Sequence, residues 1–181
     1  MENEDILREF VRKGFLRFGQ FKLSSGKTSW YYINLRELYY YPELARKVAK
    51  LLFEKAVKEG IKFDIVAGVA TAGIPLATYF ACVSGTPMVY IRKESKGHGL
   101  GKLVEGGSVK DKRVLVLDDI ATTGGTLAYA ISVLRSKGGI VDSALVVIDR
   151  QEGAREKLEE MGVRLYSLFT SAELLKLAYS K

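Results

Sequence analysis

Hydrophobic and polar residues alternate along the chain in blocks whose lengths predict strands and helices in turn. The most apolar block spans residues 65–91 and contains no charged side chain, a length that would fit a membrane-spanning helix. Glycines and prolines such as Gly73 and Pro87 nevertheless interrupt it where a strand, a buried helix and a second strand would join. We therefore predict a β-α-β unit with its strand, helix and strand at 63–68, about 74–84 and 87–92.

The segments before this unit carry weaker patterns. Residues 4–13 have the spacing of a short amphipathic helix, and residues 21–35 predict two strands joined by a Ser-Ser-Gly-Lys turn. A longer helix is predicted at 42–59, because Pro42 is favourable in a first helical turn and Gly60 in a terminating position.

The segments after the unit complete an alternation of strands and helices. Residues 93–112 contain five glycines, mixed charge and no sustained period, which predicts a long loop. Residues 114–119, four apolar residues and then two aspartates, predict a buried strand that ends in acids, followed by a helix through about Lys137. The last predicted elements are a strand, a helix, a strand and a helix at 141–148, 154–161, 163–168 and 171–178. This order predicts an α/β domain with a mostly parallel sheet flanked by helices, in which ligands bind beyond the carboxyl ends of the strands.

Composition narrows the class of protein. A chain of 181 residues, 48% hydrophobic and 27% charged, fits one globular domain over residues 1–181 and excludes a disordered or low-complexity chain. The single cysteine, Cys82, excludes an internal disulfide and is predicted to be a buried core thiol. Four acidic residues within the first nine argue against a secretory signal, so we expect a cytoplasmic protein.

The net charge of +7 makes an anionic partner plausible, either nucleic acid or a phosphorylated metabolite. Basic residues between 46 and 58 alternate with Glu43, Glu54 and Glu59, which is typical of the solvent face of an amphipathic helix. We therefore expect no nucleic acid as a partner. The glycines and prolines within residues 65–91 likewise argue against a membrane partner.

Residues 114–126, VLVLDDIATTGGT, carry the strongest chemical signal. Glycines let backbone amides approach an anion, threonine hydroxyls add donors, and the start of the next helix adds partial positive charge. Together they predict a cradle for a phosphate monoester. Asp118 and Asp119 would repel that phosphate and suit ribose hydroxyls or a magnesium-bound diol. The alternative is an ordinary turn in which one aspartate caps the helix.

This motif resembles the ribose-phosphate signature of the type I phosphoribosyltransferases. Four further stretches resemble, in order and spacing, those of the orotate phosphoribosyltransferases; they lie at 21–34, 92–99, 103–107 and 149–153. The resemblance extends from about Phe10 to Leu175. It implies the type I fold with a small N-terminal hood of helix and strands at about 1–40. It also implies a mobile catalytic loop at 92–112 that closes over the active site of a partner subunit, hence a homodimer with shared sites.

The activity implied by the resemblance is transfer of the phosphoribosyl group of 5-phospho-α-D-ribose 1-diphosphate (PRPP) to orotate. Mg²⁺ would be the cofactor, held mainly by substrate oxygens, with no protein metal cage. Lys96, His98, Asp118 and Asp119 would be catalytic, and Thr122 and Arg150 would contact orotate. The PRPP contacts would be Arg92, Lys93, Lys96 and His98 around the diphosphate, and Asp118, Asp119, Ile120, Ala121, Thr122, Thr123, Gly124, Gly125 and Thr126 around the ribose and 5′-phosphate. Tyr31 and Tyr32 would line the base pocket.

Several of these assignments have alternatives. His98 would act as a general acid toward diphosphate or, as we favour, as a further positive donor. Tyr39, Tyr40 and Tyr41, beside Pro42, favour packing at a subunit interface or at a helix start over base stacking, and we expect the interface. Arg150 would alternatively form a structural ion pair with a nearby glutamate, Glu152 or Glu156.

The sequence also departs from the family. Many bacterial members have a lysine at each of the positions of Ser24 and Ala72, and Lys27 would compensate only in part. Two other functions compete: a phosphoribosyltransferase for another base, and a non-catalytic regulator that binds DNA. The regulator would require a helix-turn-helix and a shortened loop, and the sequence shows neither.

Overall fold

A computed structural model describes residues 2–22, 26, 28–93 and 102–180. The predicted site residues Lys96 and His98 lie outside the described residues, as do Ser24 and Lys27. The helices are α1 (Glu2–Arg12), α2 (Pro42–Lys58), α3 (Gly73–Ser84), α4 (Gly125–Ser136), α5 (Ala154–Glu160) and α6 (Ser171–Tyr179), with a 3₁₀ helix at Leu35–Tyr40. The strands are β1 (Leu16–Lys22), β2 (Thr28–Ile33), β3 (Ile65–Val69), β4 (Met88–Ile91), β5 (Val104–Glu105), β6 (Arg113–Ala121), β7 (Ile140–Asp149) and β8 (Arg164–Thr170).

The main sheet has the strand order β5-β4-β3-β6-β7-β8, and all neighbouring strands are parallel except the β4–β5 pair. Both faces are covered. Along β6, Leu115 and Leu117 point into a core shared with α2, α3 and the N-terminal elements. Val114 and Val116 point into a second core beneath α4 and α5. The predicted mostly parallel sheet flanked by helices is therefore confirmed.

A separate antiparallel pair, β1 and β2, forms the hood together with α1 and the 3₁₀ helix. Phe10 joins the hood to the main sheet, because its ring lies 5.4 Å from that of Phe15 and 6.1 Å from that of Phe169. The first strand begins earlier than the predicted hairpin at 21–35. Only Leu16 is buried in β1, so no alternation of apolar residues marks this strand in the sequence.

The structure corrects two other expectations. The long loop predicted to reach residue 112 ends earlier, since β5 pairs with β4 and Val109 is buried against the second core. Cys82 is exposed rather than buried. Helix α3 carries no charged residue on any side, so its sequence does not reveal which face meets the sheet.

No helix in the part of the chain that the structure describes is both long and apolar enough to cross a membrane. The apolar block at 65–91 is divided among β3, α3 and β4, as the glycines and prolines predict. Helix α2 exposes its charged side as expected, with ion pairs between Lys50 and Glu54 and between Lys55 and Glu59.

Candidate active site

A cavity of about 290 Å³ opens at the carboxyl ends of β3 and β6. It is lined by residues 70–72 and 118–127, together with Arg36 and Lys93. All nine residues predicted from the motif at 118–126 therefore lie in one pocket with Lys93. The parallel sheet explains this placement, because parallel strands bring the loops at their carboxyl ends to one edge.

Asp118 and Asp119 end the buried part of β6 inside this cavity. Each carboxylate turns toward the backbone: Asp118 Oδ1 accepts from the amide of Asp119 at 2.9 Å, and Asp119 Oδ1 accepts from the amide of Ile120 at 2.8 Å. Burial raises the pKa of both carboxyl groups, and the charge of Asp119 further raises the pKa of Asp118. Two acids held this close favour the arrival of hydroxyl donors or a cation.

The donor set fits Mg²⁺ only if the substrate supplies most of the ligands. Among residues 2–22, 26, 28–93 and 102–180, no three metal-ligating side chains converge to form a metal cluster. Mg²⁺ usually binds through one or two carboxylates plus substrate phosphates and water. Asp118 and Asp119 fit that role, because both line the cavity and burial disfavours the charged form of both carboxyl groups.

The turn at 122–125 leads into α4 and has the geometry of an anion site. Gly124 has φ +77°, and a Cβ there would lie 3.0 Å from Ala154 Cα, so a side chain would be both strained and crowded. Helix α4 begins at Gly125 and runs for 12 residues. The amides of its first turn lack carbonyl partners within the helix and carry partial positive charge. This end of the cavity therefore suits a phosphate monoester.

Of the two cations predicted at the start of the loop, the structure brings one to the cavity. Lys93 lines it. Arg92 instead forms an ion pair with Glu105 of β5, with 3.3 Å between Nη1 and Oε1. A contact between Arg92 and PRPP stays a prediction, as do the roles of Lys96 and His98.

Arg150 follows β7 and lies outside this lining, under the hood. Its side chain is 4% exposed and pairs with Glu152 at 2.8 Å from Nε to Oε1. Nη2 donates to Ser29 Oγ at 3.2 Å, and Cζ lies 4.4 Å from the centre of the Tyr31 ring. The alternative expected from the sequence, an ion pair with a neighbouring glutamate, is thus present, but it is buried. Contact with a base stays a prediction for both Arg150 and Thr122.

Sequence reasoning missed one residue of the cavity lining, Arg36, and one residue that contacts the lining, Tyr39. Arg36 lines the cavity from the 3₁₀ helix. Tyr39 donates its hydroxyl hydrogen to the carbonyl of Ala72, a lining residue, at 3.0 Å, and its place at a subunit interface stays a prediction. Burial raises the pKa of the Tyr39 phenol, and the charges of Asp119 and Asp118 raise it further. The available signal was the spacing of three, since residues i and i+3 share one side of a 3₁₀ helix.

The model of the phosphoribosyl transferase domain family matches residues 34–165. This chain therefore belongs to the phosphoribosyltransferase family. Relatives narrow the comparison. The orotate phosphoribosyltransferase of Sulfolobus acidocaldarius is 44% identical over 171 residues, 94% of this chain and 85% of that protein. The orotate phosphoribosyltransferase of Pyrococcus furiosus is 39% identical over 175 residues, 97% of this chain and 96% of that protein.

Solved structures agree with these relatives. Orotate phosphoribosyltransferase from Aeropyrum pernix superposes with a TM-score of 0.85 at 40% identity, over 97% of this chain and 99% of that one. The Mycobacterium tuberculosis orotate phosphoribosyltransferase in complex with PRPP gives a TM-score of 0.79 at 27% identity, over 96% of this chain and 99% of that one. The resemblance to the orotate phosphoribosyltransferases is confirmed.

Proposed function

We propose that this protein is an orotate phosphoribosyltransferase, a pentosyltransferase of UMP synthesis. It transfers the 5-phosphoribosyl group of PRPP to orotate, giving orotidine 5′-phosphate and diphosphate. One observation carries the proposal: a single cavity joins a pair of buried carboxylates to a glycine turn at a helix start. These are the two halves of a ribose 5-phosphate site, in a chain similar over nearly its whole length to enzymes of that name.

Different residues of the cavity bind different parts of the substrate. The amides at the start of α4 bind the 5′-phosphate, and the carboxylates of Asp118 and Asp119 accept hydrogen bonds from the ribose hydroxyls. The bond from ribose C1 to the diphosphate oxygen breaks while the bond from C1 to the orotate nitrogen forms, through an oxocarbenium-like state. Negative charge then grows on the leaving oxygens, where Lys93 and, as the resemblance implies, Lys96 and His98 stabilise it.

Mg²⁺ is the cofactor in this proposal. Asp118 and Asp119, together with substrate oxygens, would hold the ion, which neutralises charge on the substrate when bound. The chain's own contribution is to fix these two carboxylates through the backbone amides of Asp119 and Ile120.

A phosphoribosyltransferase for another base is the competing function. Arg150 favours orotate, because a guanidinium can bind a carboxylated base through two parallel hydrogen bonds. Its Nε and Nη2 already contact Glu152 and Ser29, so the hood holds the group in a defined orientation.

One assay separates the two functions. Purified protein is incubated with PRPP and Mg²⁺ and, in parallel, orotate, uracil, hypoxanthine or adenine, and diphosphate release is measured. We expect release with orotate alone at a substantial rate, with Asp118→Asn as the control for contaminating activity. Turnover of a purine without turnover of orotate would reject the proposal.

The proposal includes a homodimer. Helix α3 supports it, because its 12 residues carry no charge, yet Thr78 and Cys82 on its outer side are exposed. Cys82→Arg should therefore convert a dimer to a monomer in size-exclusion chromatography with light scattering. An unchanged elution would place the interface elsewhere or show a monomer.

Shared active sites are tested by mixing two inactive variants, Lys96→Ala and Asp118→Asn. If the loop of one subunit serves the site of the other, one site in each mixed dimer carries both intact elements, and part of the activity returns. Absence of recovery in demonstrated mixed dimers would place the loop over its own site. The cytoplasmic location remains a prediction.

A further inference from the structure

Arg36 is a cation of the cavity lining that the proposed function leaves without a role. It is exposed and lines the cavity wall, yet among the described residues it forms no ion pair and no hydrogen bond. Its neighbours behave differently: Arg17 pairs with Glu37, and Arg46 pairs with Glu43. Surface arginines here generally find an acid, so an arginine left without one beside a polar cavity points to an anionic ligand.

The 3₁₀ helix holds Arg36 in place. Leu35 and Leu38 are 1% and 0% exposed, which anchors the helix in the core. Arg36 and Tyr39 lie one 3₁₀ turn apart and so project from the same side. Because Tyr39 Oη donates to the carbonyl of Ala72, that side faces residues 70–72. Arg36 is therefore presented to the same wall of the cavity.

Charge is unevenly distributed over the cavity. The turn at 122–125 offers backbone amides and hydroxyls to an anion, whereas residues 70–72 carry no charged side chain. Arg36 and Lys93 are the charged cations among the described residues of the lining. They share the cavity with the carboxylates of Asp118 and Asp119. A substrate with anionic groups at both ends would meet amides at one end and these two cations at the other.

We propose that Arg36 binds the diphosphate group of PRPP at the wall formed by residues 70–72, so that the hood supplies a charged substrate contact that this wall lacks. The inference rests on the proposed function for the identity of the ligand. A guanidinium suits the role, because it donates two parallel hydrogen bonds to phosphate oxygens. The alternative is that Arg36 only neutralises Asp119.

Three probes distinguish these roles by calorimetry: PRPP, Mg²⁺ with inorganic diphosphate, and ribose 5-phosphate, which lacks the diphosphate. Arg36→Ala should weaken PRPP and diphosphate binding roughly 10- to 100-fold, the scale of a lost charged hydrogen bond. Ribose 5-phosphate binding should be unchanged. Arg36→Lys should recover part of the loss. The matched control is Arg17→Ala, which removes another exposed hood arginine, and it should bind all three probes as the wild type does.

Equal weakening of all three probes, or no weakening of diphosphate, would overturn the inference. These binding measurements need no base, so they separate the two proposals. The wild type could turn over a base other than orotate while Arg36→Ala loses affinity only for the ligands that contain diphosphate. In that case the proposed base is wrong and the role of Arg36 stands. If orotate is turned over and Arg36→Ala keeps the wild-type KM for PRPP, the proposed function stands and the role of Arg36 fails.

Discussion

The ends of β6 and β7 lie side by side in the sheet, with Ala121 paired to Asp149, but they treat charge in opposite ways. At the end of β6, Asp118 and Asp119 face each other's charge inside a cavity, and burial raises the pKa of both. At the end of β7, Asp149 binds Arg155 at 3.2 Å from Oδ2 to Nη2, and Arg150 binds Glu152.

The β6 end is therefore suited to binding a ligand, whereas the β7 end stabilises the fold. The β7 end is neutralised by its own neighbours, and through Ser29 it also fixes the hood hairpin. At the β6 end, no described side chain fully compensates the like charges of Asp118 and Asp119. A ligand that brings a cation or hydroxyl donors would reduce their repulsion. Removing charge should therefore have opposite consequences for stability at the two ends.

The largest expected effect comes from Asp118→Asn. The variant should lower kcat/KM about a hundredfold, because ribose hydroxyls lose a charged acceptor. Its melting temperature at pH 7 should rise by roughly 2–4 °C, the scale of about 1 kcal/mol in a chain of this size, because the folded state no longer holds two buried like charges. Activity assays and calorimetry measure both. A fall in melting temperature would show that the aspartate pair stabilises the free protein.

A smaller effect is expected for Arg150→Lys at the neighbouring strand end. The orotate KM should rise about tenfold, since lysine cannot copy the planar contacts of the guanidinium, while the PRPP KM should change little. Uracil, which lacks the carboxylate, serves as the control substrate, and its KM should change comparatively little. An unchanged orotate KM would restrict Arg150 to its ion pair with Glu152 and its bond to the hood.

Asp149→Asn is the counterpart of the first variant. It should lower the free energy of unfolding by about 1 kcal/mol, because the ion pair with the partly exposed Arg155 is lost. Asparagine keeps an oxygen for the amide of Gln151, which now donates to Asp149 Oδ1 at 2.8 Å. kcat/KM should stay near the wild-type value. Increased stability would abolish the contrast between the strand ends.

The smallest effect concerns pH. Because the pKa of Asp118 is raised in the folded state, the folded protein binds more protons than the unfolded chain between the unfolded and folded pKa values. The free energy of unfolding therefore falls as pH rises through that window. The stability advantage of Asp118→Asn over the wild type should be largest at pH 7 and shrink toward pH 5. Thermal melts of both proteins across this range measure it, and a constant difference would contradict the shift.

Much of the fold and half of the site follow from local sequence. The strand, acids and turn at 114–126 are contiguous, so one stretch contains both the element and its chemistry. Arg36 and Tyr39 lie in a short 3₁₀ helix without an amphipathic period, and the contact of Arg36 with the cavity and of Tyr39 with Ala72 depends on how the hood packs. The predicted burial of Cys82 is wrong for a related reason. Helix α3 has no charged residue on any side, so its sequence does not indicate which face is buried.

The bond between Ser29 and Arg150 joins residues 121 positions apart, and Phe10 packs on Phe169. During translation at about 5–20 residues per second, the hood emerges on the order of ten seconds before these partners exist. Its aromatic side chains stay uncovered over that interval, in the period when a nascent chain is most exposed to aggregation and to chaperones. The part of the enzyme made first is thus completed last, because the hood gains these contacts with the sheet only when the later part of the chain has left the ribosome.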